Sequence, residues 1–141
     1  MPVLARVAKL LWAAPCTAVG LLPAAAVVLL GGRARLTPRA IEVAWRDSHA
    51  VCGRIARRLP YRAITLGHVV IAVTGRELDL LRSHELVHVE QYERWGALFF
   101  LAYPASAAWQ WLSGRNAYWD NPFEIQARIR SARQDRNTSS T

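Results

Sequence analysis

SHELVHVEQYERWG, residues 83–96, places His84 and His88 four residues apart, with Glu85 directly after the first. On an α-helix, residues four apart share a face, so both imidazoles can turn toward one ion while Glu85 flanks it. Gln91, three residues beyond His88, lies on the same face. The spacing suits zinc: neutral imidazoles bind a borderline-soft cation strongly, a third protein ligand completes the set, and the fourth position stays open for water. Glu85 then stands where a general base would take a proton from that water. The same side chains could equally decorate a charged, exposed helix, so the flanking sequence has to decide.

Upstream, RAITLGHVVIAVT (62–74) is rich in β-branched residues, and Gly67 in its interior predicts a bulge or a tight turn. Thr74 and Glu77 form a capping-box pattern at the start of the histidine helix, and Gly96 suits its end. The extended three-histidine pattern is excluded, because Arg94 stands ten residues after His84 and Gln91 replaces the required glycine. The remaining third ligands lie downstream in YWDNPFEIQARI (118–129), namely Asp120 and Glu124. Glu124 fits two roles: with Asn121 as N-cap and Pro122 at the first helical position, it is also the third residue of a helix start, where a carboxylate is favoured anyway. Tyr118 suits either an oxyanion donor or an interfacial anchor.

AITLGHVVIAV, then SHELVHVEQYERWG, then DNPFEIQA together resemble small bacterial zincin-like proteins of unknown function. Their signature is HE-x-x-H-x-x-Q, preceded by a strand and followed by a helix carrying a glutamate. The resemblance runs from about Ala63 to Ala127 and implies a minimal core of the gluzincin type. His84 and His88 would be ligands, Glu85 the general base and Glu124 the matching third ligand. The bulky aromatic stretch between the two ligand helices, residues 95–114, departs from that pattern.

The expected fold class is therefore α+β: a small antiparallel sheet, the histidine helix and a downstream ligand helix, with an N-terminal transmembrane or hairpin apolar segment. From Leu10 to Gly32 there are 23 residues without a charge, preceded by Arg6 and Lys9 and followed by Arg33, Arg35 and Arg39. That length can cross a hydrocarbon core. Pro15, Gly20 and Pro23 leave a kinked single pass and a shallow hairpin both open, and a cleaved signal peptide is a third reading. Basic residues flank both ends, so the positive-inside rule does not orient the chain. The second apolar stretch, WGALFFLAYPASAAWQWLSG (95–114), is short for a span and interrupted by Pro104. It predicts an out-and-back helical hairpin over 97–114 that returns Glu124 to the side of His84 and His88. Trp109, Trp111, Trp119, Tyr103 and Tyr118 suit a membrane interface.

RARLTPRAIEVAW (33–45) predicts two strands about a Thr37-Pro38 turn, and DSHAVCGRIARRL (47–59) a helix stopped by Pro60. The organisation expected is a membrane-anchoring segment over 1–32, a zincin-like metal-binding domain over 33–130 and a disordered tail over 131–141. His49 and His68 stand alone in sequence, and His68 is expected to make local hydrogen bonds only. Cys16 and Cys52 form neither a disulfide framework nor a metal spacing. The net charge of +8 is carried by arginines, with Lys9 the sole lysine. Without stacking aromatics in a basic stripe, it points to anionic lipid and away from nucleic acid.

The function expected is a membrane-associated zinc metallopeptidase, in the bacterial inner membrane, with one Zn2+ per chain and a peptide or protein substrate. The alternative is a zinc-stabilised membrane-binding or scaffolding protein without turnover, in which the ion contributes folding energy and the arginines hold lipid headgroups.

Overall fold

Thr37 organises the first hairpin: its backbone N–H and hydroxyl both donate to the Ala40 carbonyl, and the Ala40 N–H donates back to its Oγ1. Strands β1 (Arg33–Leu36) and β2 (Ile41–Ala44) pair antiparallel about this turn, as expected. The computed structural model describes residues 2–46, 58 and 61–139. The helix expected over 47–59, His49 and Cys52 included, is not among them apart from Arg58.

Gly67 divides the β-branched stretch into two strands, β3 (Ala63–Leu66) and β4 (Val69–Ala72), joined by a two-residue loop with Leu66 opposite Val69. Its φ of 62° puts it in the left-handed region, as glycine is needed at the first position of a type II′ turn. The sheet order is β1-β2-β4-β3. The sheet is mixed, a correction to the antiparallel sheet expected: β2 and β4 run parallel, with Val43 opposite Ile71. The reason is topological. The chain crosses over between β2 and β3, places β3 on the outer edge, and the tight hairpin then brings β4 back inside, alongside β2.

β4 is buried on both faces, and its alternation sorts the two cores. Val69, Ile71 and Val73 pack with Val43 and Trp45 under Ala24 and Val27 of α1 (Pro2–Leu29). Val70 and Ala72 pack with Ala40, Ala44, Leu78 and Val89 under α2 (Gly75–Trp95). The sheet therefore lies between two helices. α1 is one continuous helix through Pro15, Gly20 and Pro23, which excludes the hairpin alternative; each proline removes a single intrahelical hydrogen bond without ending the helix. Its buried positions, Ala13, Cys16, Gly20, Ala24 and Val27, recur at helical spacing. They are small, and the backbones approach closely: a Cβ on Gly20 would lie 2.8 Å from the Leu66 carbonyl oxygen. The opposite face is apolar and exposed, including Leu4, Leu11, Leu22 and Leu29. This helix is long and apolar enough to cross a membrane.

α2 starts where the capping pattern puts it, with Thr74 Oγ1 accepting from the Glu77 N–H, and ends at Gly96 with φ 55°. A 3-10 turn (Gly96–Leu98) then leads into α3 (Phe99–Leu112). The hairpin expected over 97–114 is thus a turn followed by a single helix, which accommodates Pro104 as α1 accommodates its prolines. Tyr92, Phe99 and Ala13 with Cys16 join α2, α3 and α1 in a third cluster. α4 (Pro122–Thr138) starts at Asn121, whose side chain accepts from the Phe123 N–H. It continues through most of the polar tail expected to be disordered, with Arg136 Nε donating to the Ala132 carbonyl and Thr138 Oγ1 to the Gln134 carbonyl.

Candidate metal centre

α2 presents His84 and His88 one turn apart, and the first turn of α4 crosses above them. Three donor atoms converge there. His84 Nε2 lies 3.1 Å from His88 Nε2, and Glu124 places Oε2 3.2 Å from the first and Oε1 3.3 Å from the second. All three residues can offer ligand atoms within 4.8 Å of one another, a group that can hold a metal ion. Of the two downstream candidates, Glu124 is the one brought to the histidines. Asp120 is exposed, and its carboxylate accepts from the Asn116 N–H in the turn before α4.

The hydrogen-bond pattern sets the protonation of the cluster. Gln91 Nε2 donates to the Phe123 carbonyl and to Gln126 Oε1, at 3.0 and 2.8 Å. Its Oε1 therefore faces His88 Nδ1, at 2.8 Å, and accepts a hydrogen bond from it. A neutral His88 then carries its proton on Nδ1 and turns the lone pair of Nε2 into the cluster, as a metal-ligating histidine does. Glu124 Oε2 is buried, and its polar neighbour is His84 Nε2 at 3.2 Å, a contact too poorly aligned to satisfy it as a full hydrogen bond. A buried carboxylate beside two ring nitrogens is a donor set that can hold a cation.

The electrostatics follow from burial and proximity. Burial alone would push the Glu124 carboxyl up, but the imidazoles of His84 and His88 and the Tyr103 hydroxyl outweigh it and hold the group well below the usual carboxylate range. Burial opposes charge on His88, yet Glu124, Glu85 and Gln91 together raise its pKa. Proton and metal thus compete for the same atoms. Tyr118 is pushed up to about 12, by burial first and then by the charge of Glu124, so it stays a hydroxyl donor.

Glu85 is buried and does not join the ligand cluster. Its Oε2 accepts from Thr65 Oγ1 of β3 at 2.7 Å, which holds the carboxylate beside the histidines. Sequence reasoning missed Thr65. It also read Tyr103 only as an interfacial aromatic, whereas the Tyr103 hydroxyl donates to Glu124 Oε1 at 2.7 Å. Both partners come from elements remote in sequence, and no local pattern marks them. His68 lies outside the cluster, but its bonds are not the local ones expected: its backbone N–H donates to Thr17 Oγ1 of α1, and its ring lies 3.3 Å from Thr17 Oγ1 and 3.4 Å from Glu93 of α2.

A cavity of about 780 Å³ opens over the cluster. Residues 61–66, leading into and along β3, form one wall; Phe99, Phe100, Tyr103 and Pro104 of α3 form another. His84, Glu85, His88 and Glu124 line it between them, together with Leu81, Tyr92, Tyr118, Trp119 and Arg128. Compared with protein-family models, curated proteins and solved structures, the chain matches none.

Proposed function

We propose that the protein is a membrane-associated, zinc-dependent peptidase. The observation that carries this reading is the convergence of His84, His88 and Glu124 at one end of a cavity that also holds the separate carboxylate of Glu85. A zinc ion held by the three ligands would supply the Lewis acidity that peptide hydrolysis needs. The rest belongs to the chain. Glu85, fixed by Thr65, accepts the proton of the attacking water and returns it to the leaving amine nitrogen as the C–N bond breaks. Tyr118, kept protonated, offers a hydrogen bond to the carbonyl oxygen as negative charge develops on it. Among the described residues β3 is an edge strand lining the cavity, and its outward N–H and C=O groups suit an extended peptide added as a further strand.

Metal analysis of the purified protein beside three variants tests the site. Wild type and Glu85→Gln should carry one zinc per chain, whereas His84→Ala and His88→Ala should carry none. Full occupancy in His88→Ala would refute the ligand assignment. Hydrolysis of a mixed peptide library tests the chemistry: equal, negligible turnover by zinc-loaded wild type and Glu85→Gln would favour a non-catalytic, zinc-stabilised membrane protein.

A further inference from the structure

The cavity's wall and its rim carry information about where a substrate comes from. Of the lining residues, Tyr61, Arg62, Pro104, Tyr118 and Trp119 are exposed and mark the rim, while Phe99 is buried and Phe100 and Tyr103 are partly buried, deeper on the α3 wall. α3 has a second face. Leu101, Trp109, Trp111 and Leu112 are each at least 64% exposed and touch nothing that would cover them among the described residues. This face adjoins α1 at the 3-10 turn. Trp12, half exposed, sits against Gly96, where a Cβ would lie 2.5 Å from its ring, and Leu98 stands exposed beside that contact.

The charge pattern fits one occupant for this surface. No acidic residue occurs before Glu42 or between Glu93 and Asp120, while Arg33, Arg35 and Arg39 follow α1 and Arg115 follows α3. Apolar helices bounded by arginines and tryptophans, without carboxylates, complement a bilayer of anionic lipid.

We propose that the substrate is a membrane-embedded apolar peptide segment, which enters the cavity laterally from the bilayer along α3 and pairs with the edge of β3. The inference rests on the peptidase reading for the chemistry, but its placement of the substrate stands on the surface and the cavity. A lipid acyl chain would suit the aromatic wall equally well. It would leave the outer edge of β3, which pairs with no other strand among the described residues, without a hydrogen-bonding partner, which is why a peptide is the occupant assigned.

The test uses the full chain carrying Glu85→Gln, loaded with zinc and reconstituted in vesicles of mixed anionic and zwitterionic phospholipid. A photo-crosslinking side chain replaces Phe100, inside the cavity. The probes are a synthetic single-span leucine-alanine peptide embedded in the same vesicles and a soluble, polar peptide of equal length. Crosslinking to the embedded peptide in preference to the soluble one is the expected result. Leu101→Glu or Trp109→Glu, on the outer face of α3, should retain the zinc and lower that yield about tenfold or more, given the cost of placing a carboxylate in hydrocarbon. Preference for the soluble peptide, crosslinks to lipid chains alone, or a yield unaffected by either glutamate would overturn the inference. Crosslinking of the embedded peptide together with no cleavage of it by wild type would uphold the substrate assignment and remove the hydrolytic one.

Discussion

Gln91 joins the histidines of the proposed zinc site to the helix that carries Glu124, and on that reading replacing it with leucine should weaken zinc binding without touching a ligand. Its side chain is 3% exposed and makes three hydrogen bonds, to His88 Nδ1, the Phe123 carbonyl and Gln126 Oε1. Leucine keeps most of the volume and removes all three. Two consequences follow. His88 loses the acceptor that fixes its proton on Nδ1, and substitutions of this kind cost about 10- to 100-fold in metal affinity, or roughly 1.4 to 2.8 kcal/mol. The Phe123 carbonyl also loses the Gln91 donor, and a part-buried hydrogen bond of this kind contributes about 1 kcal/mol to stability. Competition against a chelator of known affinity reads the first, and thermal unfolding of the metal-free protein the second. Affinity in Gln91→Leu equal to wild type would refute the argument, because a ligand already held in the productive tautomer by something else does not need the amide.

Thr65→Val removes the hydroxyl that positions Glu85; zinc content should be unchanged while kcat/KM for any peptide cleaved falls roughly tenfold, the worth of one such hydrogen bond. Gly67→Ala should lower the melting temperature more than Gly114→Ala, since both sites have positive φ, but a Cβ at 67 meets the Thr17 backbone nitrogen at 2.4 Å and at 114 meets nothing. The left-handed strain alone is worth about 1–2 kcal/mol, and at 67 the collision with α1 adds to it. Glu93 gives an acid limb to stability: burial pushes its carboxyl up, but the hydrogen bond and charge of Lys9, with His68, win and lower it. A folded pKa below the unfolded one stabilises above the ordinary glutamate range and is lost as pH falls through the depressed value, so Lys9→Met should flatten the stability profile there and leave neutral pH less stable. Asn121→Ala should cost about 1 kcal/mol of stability with zinc retained, while Glu124→Gln should abolish tight zinc binding with little change in the metal-free melting temperature.

The parts of this fold that were legible in sequence are those fixed locally. Thr74, Gly96 and the Asn121-Pro122 pair mark helix ends by satisfying backbone groups a few residues away, and the structure uses each of them so. The β-branched runs around Thr37 and Gly67 gave the strands, since turn chemistry acts over two residues. The parallel pairing of β2 with β4 was not legible, because it depends on how a crossover is routed and no residue in either strand records that. α1 was read as separate from the domain for a different reason. Its buried stripe from Ala13 to Val27 consists of small apolar residues within an apolar segment, so the periodicity that normally announces a packed face has no contrast. Thr65 and Tyr103 act on Glu85 and Glu124 across 20 and 21 residues, and such pairs exist only once the elements are packed.

Glu124 carried two readings in the sequence, ligand and helix-start residue, and the geometry separates them. A capping box needs the carboxylate three residues into the helix to turn back toward the N-cap N–H. Here the Asn121 N–H is taken by the Tyr118 carbonyl, and the Asn121 side chain alone serves the helix by accepting from Phe123. The carboxylate is thus released from the backbone and turns outward from the helix start to the two imidazoles, where one oxygen accepts from Tyr103 and the other lies 3.2 Å from His84 Nε2. Position in the first turn still matters, because the positive end of the helix favours the anion that ligation requires. The helix start that made Glu124 look structural therefore delivers it, buried, beside the His84 and His88 imidazoles that keep it ionised.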